Sequence, residues 1–154
     1  MNEDTKIHLA TDHRGFALKE AVKEYLDEVG RTVVDHGAGS LNEDDDYPDF
    51  IHPAAKAVSD DEQSAGIIFG YSGQGEAMVA NRYPYVRAAV YYGGDPDIIT
   101  LSREHNDANV LSIAAGFVAE KQAVEAVQQW LETEFTAATR HKRRINKIDD
   151  NFYD

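Results

Sequence analysis

Short apolar runs alternate along the chain with segments whose apolar residues recur at helical spacing. Lys6 to Thr11 is an apolar run that predicts a strand, and Phe16 to Val29 carries apolar residues on one face of a predicted helix. Gly30 ends this helix and residues 31–35 predict a second strand, before a long acidic loop leads to a helix from about Phe50 to Val58. The first part of the chain therefore predicts strands that alternate with helices.

The same succession continues to the end of the chain. Further strands are predicted at 65–69, 86–91 and 110–114, and further helices at 76–82, from Asp95 or Pro96 to about His105, at 118–131 and from Phe135 onward. This order predicts an α/β protein: a single-domain, Rossmann-like three-layer sandwich with a mostly parallel five-stranded sheet and a C-terminal helix. Neither an internal repeat nor a linker-like tract interrupts the chain, so we expect one domain over residues 1–154.

Composition removes several classes of function. The 154 residues include no cysteine, which excludes disulfides, thiolate metal sites and a thiol nucleophile. A formal net charge of -13 disfavours general binding to nucleic acid or to anionic membranes. The first residues are polar and acidic, and no apolar run approaches the roughly 18 residues that span a bilayer. We therefore expect a cytoplasmic protein with neither a membrane nor a nucleic-acid partner.

Basic residues are concentrated near the end of this acidic chain. The segment contains Arg140, His141, Lys142, Arg143, Arg144 and Lys147. One interpretation is a solvated basic helix face, and the other is a local anion site. On a helix, the side chains of Arg140, His141 and Arg144 are spaced to converge on a single phosphate.

A glycine-rich segment follows the predicted third strand. Gly70, Gly73 and Gly75 permit a tight turn whose backbone N–H groups point at bound oxygen atoms. A dinucleotide fingerprint needs glycine where Met78 stands, and a Walker loop needs Gly-Lys-Ser/Thr. A receiver-type phosphorylation domain needs an aspartate where Phe69 and Gly70 stand. The segment therefore predicts a cradle for an anion or an oxyanion rather than a nucleotide site.

Several polar residues next to these segments are candidates for proton transfer. Glu76 begins the helix after the glycine turn, where it either complements the helix dipole or serves as a general base whose pKa is raised by burial. His13 and His105 lie at element ends, and Asp12 beside His13 is placed to orient a proton relay. A metal site built from His13, Glu76 and His105 matches no known spacing, so no metal is expected. Tyr47, before a proline, is expected in an extended loop, as a packing aromatic or a hydroxyl at the pocket rim.

The chain also resembles a known family in an ordered set of motifs between about Ile7 and Ile148. These motifs are Asp12-His13-x-Gly15, Asp46-Tyr47-Pro48, Ser72-Gly73-x-Gly75-Glu76, Ala80-Asn81, Arg87-Ala88, Arg103-Glu104-His105-Asn106-Asp107-Ala108-Asn109 and Arg140-His141-x-x-Arg144. They resemble the type B ribose-5-phosphate isomerases, a family that includes galactose-6-phosphate isomerase. The resemblance implies reversible conversion of D-ribose 5-phosphate to D-ribulose 5-phosphate through an enediol, in the pentose phosphate pathway, with no metal or organic cofactor.

The resemblance also assigns roles near the glycine turn. Glu76 is implied to move the proton between C2 and C1, as in the branch of the family that uses glutamate; the other branch has a cysteine where Gly70 stands. Ser72 and the N–H groups around Gly73 and Gly75 are implied to hold the enediolate oxygens.

Other residues are implied to bind the rest of the substrate. His105 with Asp12 is implied to assist opening of the furanose ring, and Asn106 and Tyr47 to bind sugar hydroxyls. The phosphate is implied to be held by His13, Arg140, His141 and Arg144. The family builds this site across a homodimer, and the sequence leaves open whether dimers pair into tetramers.

Two positions depart from the family and keep other functions open. Gly116 stands where the family commonly has a phosphate-binding arginine, and we hypothesise that Arg14 compensates from another loop. Tyr71 replaces a common glycine. The alternatives are an isomerase of allose 6-phosphate or galactose 6-phosphate, a non-catalytic sugar-phosphate-binding module, and a nucleic-acid accessory protein that uses the basic terminal segment.

Overall fold

The computed structural model describes residues 1–150. Within that range the strands are β1 (Lys6–Thr11), β2 (Val33–Asp35), β3 (Ser64–Gly70), β4 (Ala88–Tyr91) and β5 (Val110–Ala114). The helices are α1 (Phe16–Glu28), α2 (Tyr47–Asp60), α3 (Gln74–Ala80), α4 (Asp97–Asn106), α5 (Glu120–Glu132) and α6 (Thr139–Asp149). Residues 151–154, which the sequence assigns to the same domain, lie outside the described range.

The strands form one parallel sheet in the order β2-β1-β3-β5-β4. The chain passes from β1 outward to β2 and then returns to β3 on the other side of β1, so the strand order reverses between β1 and β3. Clefts at the carboxyl ends of such strands are where open α/β sheets bind ligands. β3 is buried along its whole length because it pairs with both β1 and β5. The predicted mostly parallel, five-stranded sheet is confirmed.

Helices cover both faces of the sheet and bury the apolar residues that alternate along the strands. On one face, α1 and α5 pack against β1, β3 and β5, and Trp130 is fully buried there. On the other face, α2 and α3 pack against the same strands, with Ile51 and Ile68 in the core. Residues that follow one another on a strand point to opposite faces, so Leu9 and Ala10 enter different clusters. The predicted three-layer sandwich is therefore confirmed.

The expectation that Tyr47 lies in an extended loop is wrong. α2 begins at Tyr47 rather than near Phe50, and Asp46 before it has the extended backbone of a residue that precedes a helix. Pro48 suits the first turn of a helix, because the N–H that proline lacks has no partner at that position. The acidic loop consequently ends with the Tyr47 side chain at a fixed position.

The C-terminal helix starts later than the sequence predicts. α6 begins at Thr139 rather than at Phe135. The segment before α6 is bound to the end of α4 instead of forming a helical turn. The backbone N–H and the hydroxyl of Thr136 both donate to the carbonyl oxygen of Glu104, at 3.3 and 2.8 Å. None of the helices in residues 1–150 has the length and apolar character needed to cross a membrane.

Candidate active site

The ends of β1 and β3 meet at the point where the strand order reverses. The Thr11 hydroxyl bridges them, since it lies 3.0 Å from the carbonyl oxygen of Phe69. Gly15 allows α1 to start close to β3, because an added Cβ would lie 2.5 Å from the Cβ of Phe69. Asp12 is buried and accepts a hydrogen bond from the backbone N–H of Arg14 at 2.9 Å. Asp12 and His13 therefore lie beside the glycine turn.

The glycine turn is fixed by a contact with β5. Gly73 has a φ of 70°, which favours glycine, and precedes α3. Its carbonyl oxygen accepts a hydrogen bond of 2.6 Å from the hydroxyl of Ser112, a fully buried residue of β5. Ser72 is partly exposed, with its Oγ 3.4 Å from the backbone nitrogen of Gln74. The glycine turn is therefore attached to β5, and the partly exposed Ser72 lies within it.

Glu76 is buried in the first turn of α3. Its residue is only 5% exposed, and burial raises the pKa of its carboxyl above the ordinary value. A hydrogen bond involving its own backbone acts to lower this pKa, and the negative charge of Asp12 acts to raise it. The effect of burial on the pKa of Glu76 is therefore larger than the opposing effect of the backbone at the start of the helix. A general base requires such a raised pKa, and the sequence alone could not show which effect is larger.

The Glu76 carboxylate occupies the space beside Gly70. A Cβ added to Gly70 would lie 1.8 Å from Oε1 and 2.0 Å from Cδ of Glu76. These distances are far below van der Waals contact, so a side chain at position 70 is incompatible with this position of the carboxylate. Gly70 thus determines where Glu76 can place its oxygens.

Tyr47 contributes a hydroxyl to the same region. A Cβ added to Gly75 would lie 2.8 Å from both Cζ and Oη of Tyr47. The ring is partly buried against the cluster beneath α2, while its hydroxyl end reaches the glycine turn. The Tyr47 ring therefore packs against the core, and its hydroxyl lies at the glycine turn.

Asp45 contacts a predicted site residue, His13, and is a candidate that the sequence reasoning missed. Its Oδ1 lies 2.6 Å from Nδ1 of His13 and accepts the backbone N–H of His13 at 3.1 Å. Asp12, His13 and Asp45 each offer a ligand atom within 4.8 Å of the others, and within residues 1–150 they are the group of such side chains that could hold a metal ion. The acidic run before Tyr47 was the available signal, but it did not show which aspartate faces His13.

A second group of predicted residues lies on α4 and α6. The rings of His105 and His141 stack with their centroids 4.3 Å apart and an angle of 12° between their planes. Arg140 Nε donates to Nε2 of His141 at 3.2 Å. Removal from solvent lowers the pKa of His141, and electrostatic interactions with His105, Arg140 and Arg144 lower it further. Asn106 is exposed at the end of α4.

Arg87 joins the two elements that carry this second group. Its Nε donates to the carbonyl oxygen of Asn106 at 3.1 Å, and its guanidinium pairs with Asp107 at 3.3 Å. The same guanidinium lies 3.6 Å from the carboxylate of Asp149 at the end of α6. The basic helix is therefore anchored beside His105.

The predicted site residues consequently form two groups. The first contains Asp12, His13, Arg14, Tyr47, Ser72, Gly73, Gly75 and Glu76, and the second contains His105, Asn106, Arg140, His141 and Arg144. No hydrogen bond, ion pair or ring contact connects the two groups within the part of the chain that the structure describes. Among residues 1–150, the cluster of potential metal ligands around His13 contains Asp12 and Asp45 rather than Glu76 and His105.

The two departures from the family motifs are in contact with each other. A Cβ added to Gly116 would lie 2.5 Å from the ring of Tyr71, so the ring fills the space where a side chain at position 116 would begin. Tyr71 also makes an edge contact with Phe117, with centroids 5.6 Å apart. The guanidinium carbon of Arg14 lies 5.7 Å from the Tyr71 ring centroid, which is a cation–π distance.

Comparison with known proteins identifies the family. The sequence profile of the Ribose/Galactose Isomerase family matches residues 7–148. The chain belongs to this family. A ribose-5-phosphate isomerase B of Mycolicibacterium paratuberculosis is 36% identical over 141 residues, which cover 92% of this chain and 87% of that protein. A probable ribose-5-phosphate isomerase B of Mycoplasma pneumoniae is 33% identical over 148 residues, covering 96% of this chain and 95% of that protein.

Solved structures of the ribose/galactose isomerase family share the fold of the whole chain. The ribose-5-phosphate isomerase B of Mycoplasma genitalium, with bound ribulose-5-phosphate, has a TM-score of 0.93 and 33% identity, and 98% of each chain is covered. The enzyme of Thermotoga maritima has a TM-score of 0.87 and 39% identity, covering 95% of this chain and 98% of that one. The resemblance inferred from the motifs is confirmed, and with it the prediction of an isomerase.

Proposed function

We propose that the protein interconverts D-ribose 5-phosphate and D-ribulose 5-phosphate, a step of the pentose phosphate pathway. The observation that carries this proposal is the buried Glu76 carboxylate, which lies beside Gly70 and has a pKa that burial and the charge of Asp12 raise. A base with its pKa raised toward neutrality suits removal of a proton from carbon. The ribulose-5-phosphate bound to the Mycoplasma genitalium relative supports the choice of sugar.

The reaction moves one proton between neighbouring carbons. The Glu76 carboxylate takes the proton from C2 of the open-chain aldose, and the electron pair of that bond moves to form the C1–C2 double bond while the C1 oxygen becomes negative. The Ser72 hydroxyl and the N–H groups around Gly73 and Gly75 stabilise this enediolate, because the turn holds them in place before the charge develops. A proton then passes from the C2 hydroxyl to the C1 oxygen. The C2 oxygen forms the carbonyl while the electron pair of the C1–C2 double bond takes the proton from Glu76 at C1, which yields the ketose and restores the carboxylate.

The substrate-binding residues complete the site only if two copies of the chain meet. His105 with Asp12 assists ring opening, Asn106 and Tyr47 bind sugar hydroxyls, and the phosphate is bound by His13, Arg140, His141 and Arg144. These residues fall into two groups that no hydrogen bond, ion pair or ring contact joins within residues 1–150. A homodimer that places the α4–α6 group of one copy against the Asp12–Glu76 group of the other brings all of them to one substrate.

Arg14 is part of the proposed phosphate site. It follows His13, and the Tyr71 ring supports its guanidinium at 5.7 Å. The space over Gly116 is filled by the same ring, so a cation from the β1–α1 loop substitutes for one at position 116. Neither the six-carbon sugar phosphates nor the non-catalytic and nucleic-acid alternatives are favoured, because the relatives are ribose-5-phosphate isomerases and the buried base is present.

The decisive experiment measures isomerisation of ribose 5-phosphate by the purified protein with a chelator present. Glu76→Gln keeps the shape of the side chain and removes the base, so we expect kcat to fall by about 10²–10⁴-fold. Glu24→Gln, which makes the same change at an exposed position of α1, is the control and keeps parental activity. A parent protein that is inactive on ribose 5-phosphate, or a fully active Glu76→Gln protein, contradicts the proposal.

A further inference from the structure

Asp45 is an aspartate whose burial sets it apart from its neighbours. It lies at the end of the acidic loop, where Asp44 and Asp46 are exposed, yet its own side chain is only 8% exposed. Within residues 1–150 its Oδ2 is buried and has no hydrogen-bond partner. A buried carboxylate costs free energy unless other groups compensate for it. The groups that compensate here all belong to His13.

The contact between Asp45 and His13 is made twice, by the same oxygen. Oδ1 of Asp45 lies 2.6 Å from Nδ1 of the ring and accepts the backbone N–H of His13 at 3.1 Å. The ring and the backbone of His13 are therefore fixed relative to one carboxylate, so the ring cannot turn about χ2 without losing the shorter bond. Because Nδ1 is occupied as a donor, Nε2 is the ring nitrogen that remains to meet a ligand.

We infer that Asp45 is a positioning residue that holds the His13 imidazole with Nε2 directed at the phosphate of the substrate. This inference rests on the proposed function, since it assumes that His13 binds the phosphate. The loop that carries Asp45 continues directly into Tyr47, whose hydroxyl reaches the glycine turn. The segment from Asp45 to Tyr47 thus orients His13 at the phosphate of the substrate and places the Tyr47 hydroxyl near the glycine turn, where the reacting carbons bind.

The test compares steady-state kinetics of Asp45→Ala and Asp45→Asn with the parent. Loss of a hydrogen bond that orients a charged contact is expected to raise KM about 10-fold in Asp45→Ala, with kcat within about 2-fold, because phosphate binding is equally strong in ground and transition states. Asp45→Asn keeps the shape and one acceptor, and we expect a smaller rise. Asp44→Asn removes the same charge from an exposed position of the same loop and leaves KM unchanged.

A double-mutant cycle separates positioning from a general structural role. If Asp45 acts through His13, then Asp45→Ala adds no further rise in KM to a His13→Ala protein. Additive effects of the two changes overturn the inference. Nitrogen NMR of the His13 ring gives an independent readout, because the proton is expected on Nδ1 in the parent and distributed over both nitrogens in Asp45→Ala. An unchanged His13 spectrum also overturns it.

A phosphate-binding measurement tests the role of Asp45 without relying on isomerase activity. Inorganic phosphate serves as the probe, and its affinity is measured by calorimetry for the parent, Asp45→Ala and Asp45→Asn. We expect weaker binding in both variants, and the near-isosteric asparagine variant preserves the test if the alanine variant does not fold. Equal affinity in the parent and both variants, or no phosphate binding by the parent, overturns the inference. Inactivity of a parent that binds phosphate in an Asp45-dependent way counts only against the proposed function.

Discussion

At the scale of single residues, two glycines leave room for the side chain of a neighbouring residue. Gly70 leaves the space that the Glu76 carboxylate occupies, and Gly116 leaves the space that the Tyr71 ring occupies. Glu76 and Tyr71 can occupy these positions only because Gly70 and Gly116 have no Cβ. The two departures at positions 71 and 116 are therefore one change in physical terms, since a side chain at 116 and the present orientation of Tyr71 exclude each other.

Gly70→Ala tests the first of these pairs. The new Cβ would lie 1.8 Å from Oε1 of Glu76, so the carboxylate must move away from its present position. We expect activity on ribose 5-phosphate to fall by about 10²-fold, because a displacement of about 1 Å of a reacting group has effects of that size. Gly39→Ala is the matched control, since no atom lies within 4 Å of its added Cβ. Full activity of Gly70→Ala, with a thermal midpoint like that of the control, rules out this role for Gly70.

At the scale of elements, β1 and β2 are joined by a pair of histidines away from the candidate site. Nδ1 of His8 lies 2.8 Å from Nε2 of His36, and the ring centroids are 5.0 Å apart. Burial lowers the pKa of His8 to about 4, with further lowering by electrostatic interactions with His36 and Lys6, and burial also lowers the pKa of His36. Both rings are therefore neutral in the folded protein at neutral pH.

This pair predicts a loss of stability in mild acid. An unfolded histidine has a pKa near 6.5, so between about pH 6.5 and 4 the unfolded chain binds more protons than the folded one. The free energy of unfolding is expected to fall as pH decreases through this window, by up to about 3 kcal/mol for His8. Urea unfolding at several pH values is expected to show a weaker pH dependence for His8→Gln. His52→Gln, at an exposed position of α2, is expected to keep the parental dependence, and equal curves for all three proteins contradict the prediction.

At the scale of the whole molecule, the separation of the site residues into two groups raises the question whether one active site is built from two copies of the chain. α4 and α6 carry one group, anchored through Arg87, and the ends of β1 and β3 carry the other. If an active site takes one group from each copy, then each chain of a dimer contributes to two different sites. A single chain does not then contain a complete site.

Mixing two inactive proteins tests this arrangement. Glu76→Gln disables the first group and His105→Asn disables the second. After joint unfolding and refolding, a mixed dimer contains one site with both changes and one site with neither, so we expect recovery to about a quarter of the parental activity. Each variant refolded alone is the control and stays inactive. Absence of recovery, with mixed dimers shown to form, means that Glu76 and His105 of the same chain serve one site.

The sequence by itself determined the succession of strands and helices, the glycine turn and most of the side chains that surround it. These follow from periodicity and turn chemistry, which act between residues close together in the chain. The tertiary structure decided the rest. Burial of Glu76 raises its pKa despite its position at the start of a helix. Of the aspartates before Tyr47, Asp45 is the one that contacts His13, and His105 stacks on His141 in a group apart from Glu76. Burial, side-chain orientation and the meeting of distant loops depend on how segments far apart in the chain pack, and a local pattern carries no information about that packing.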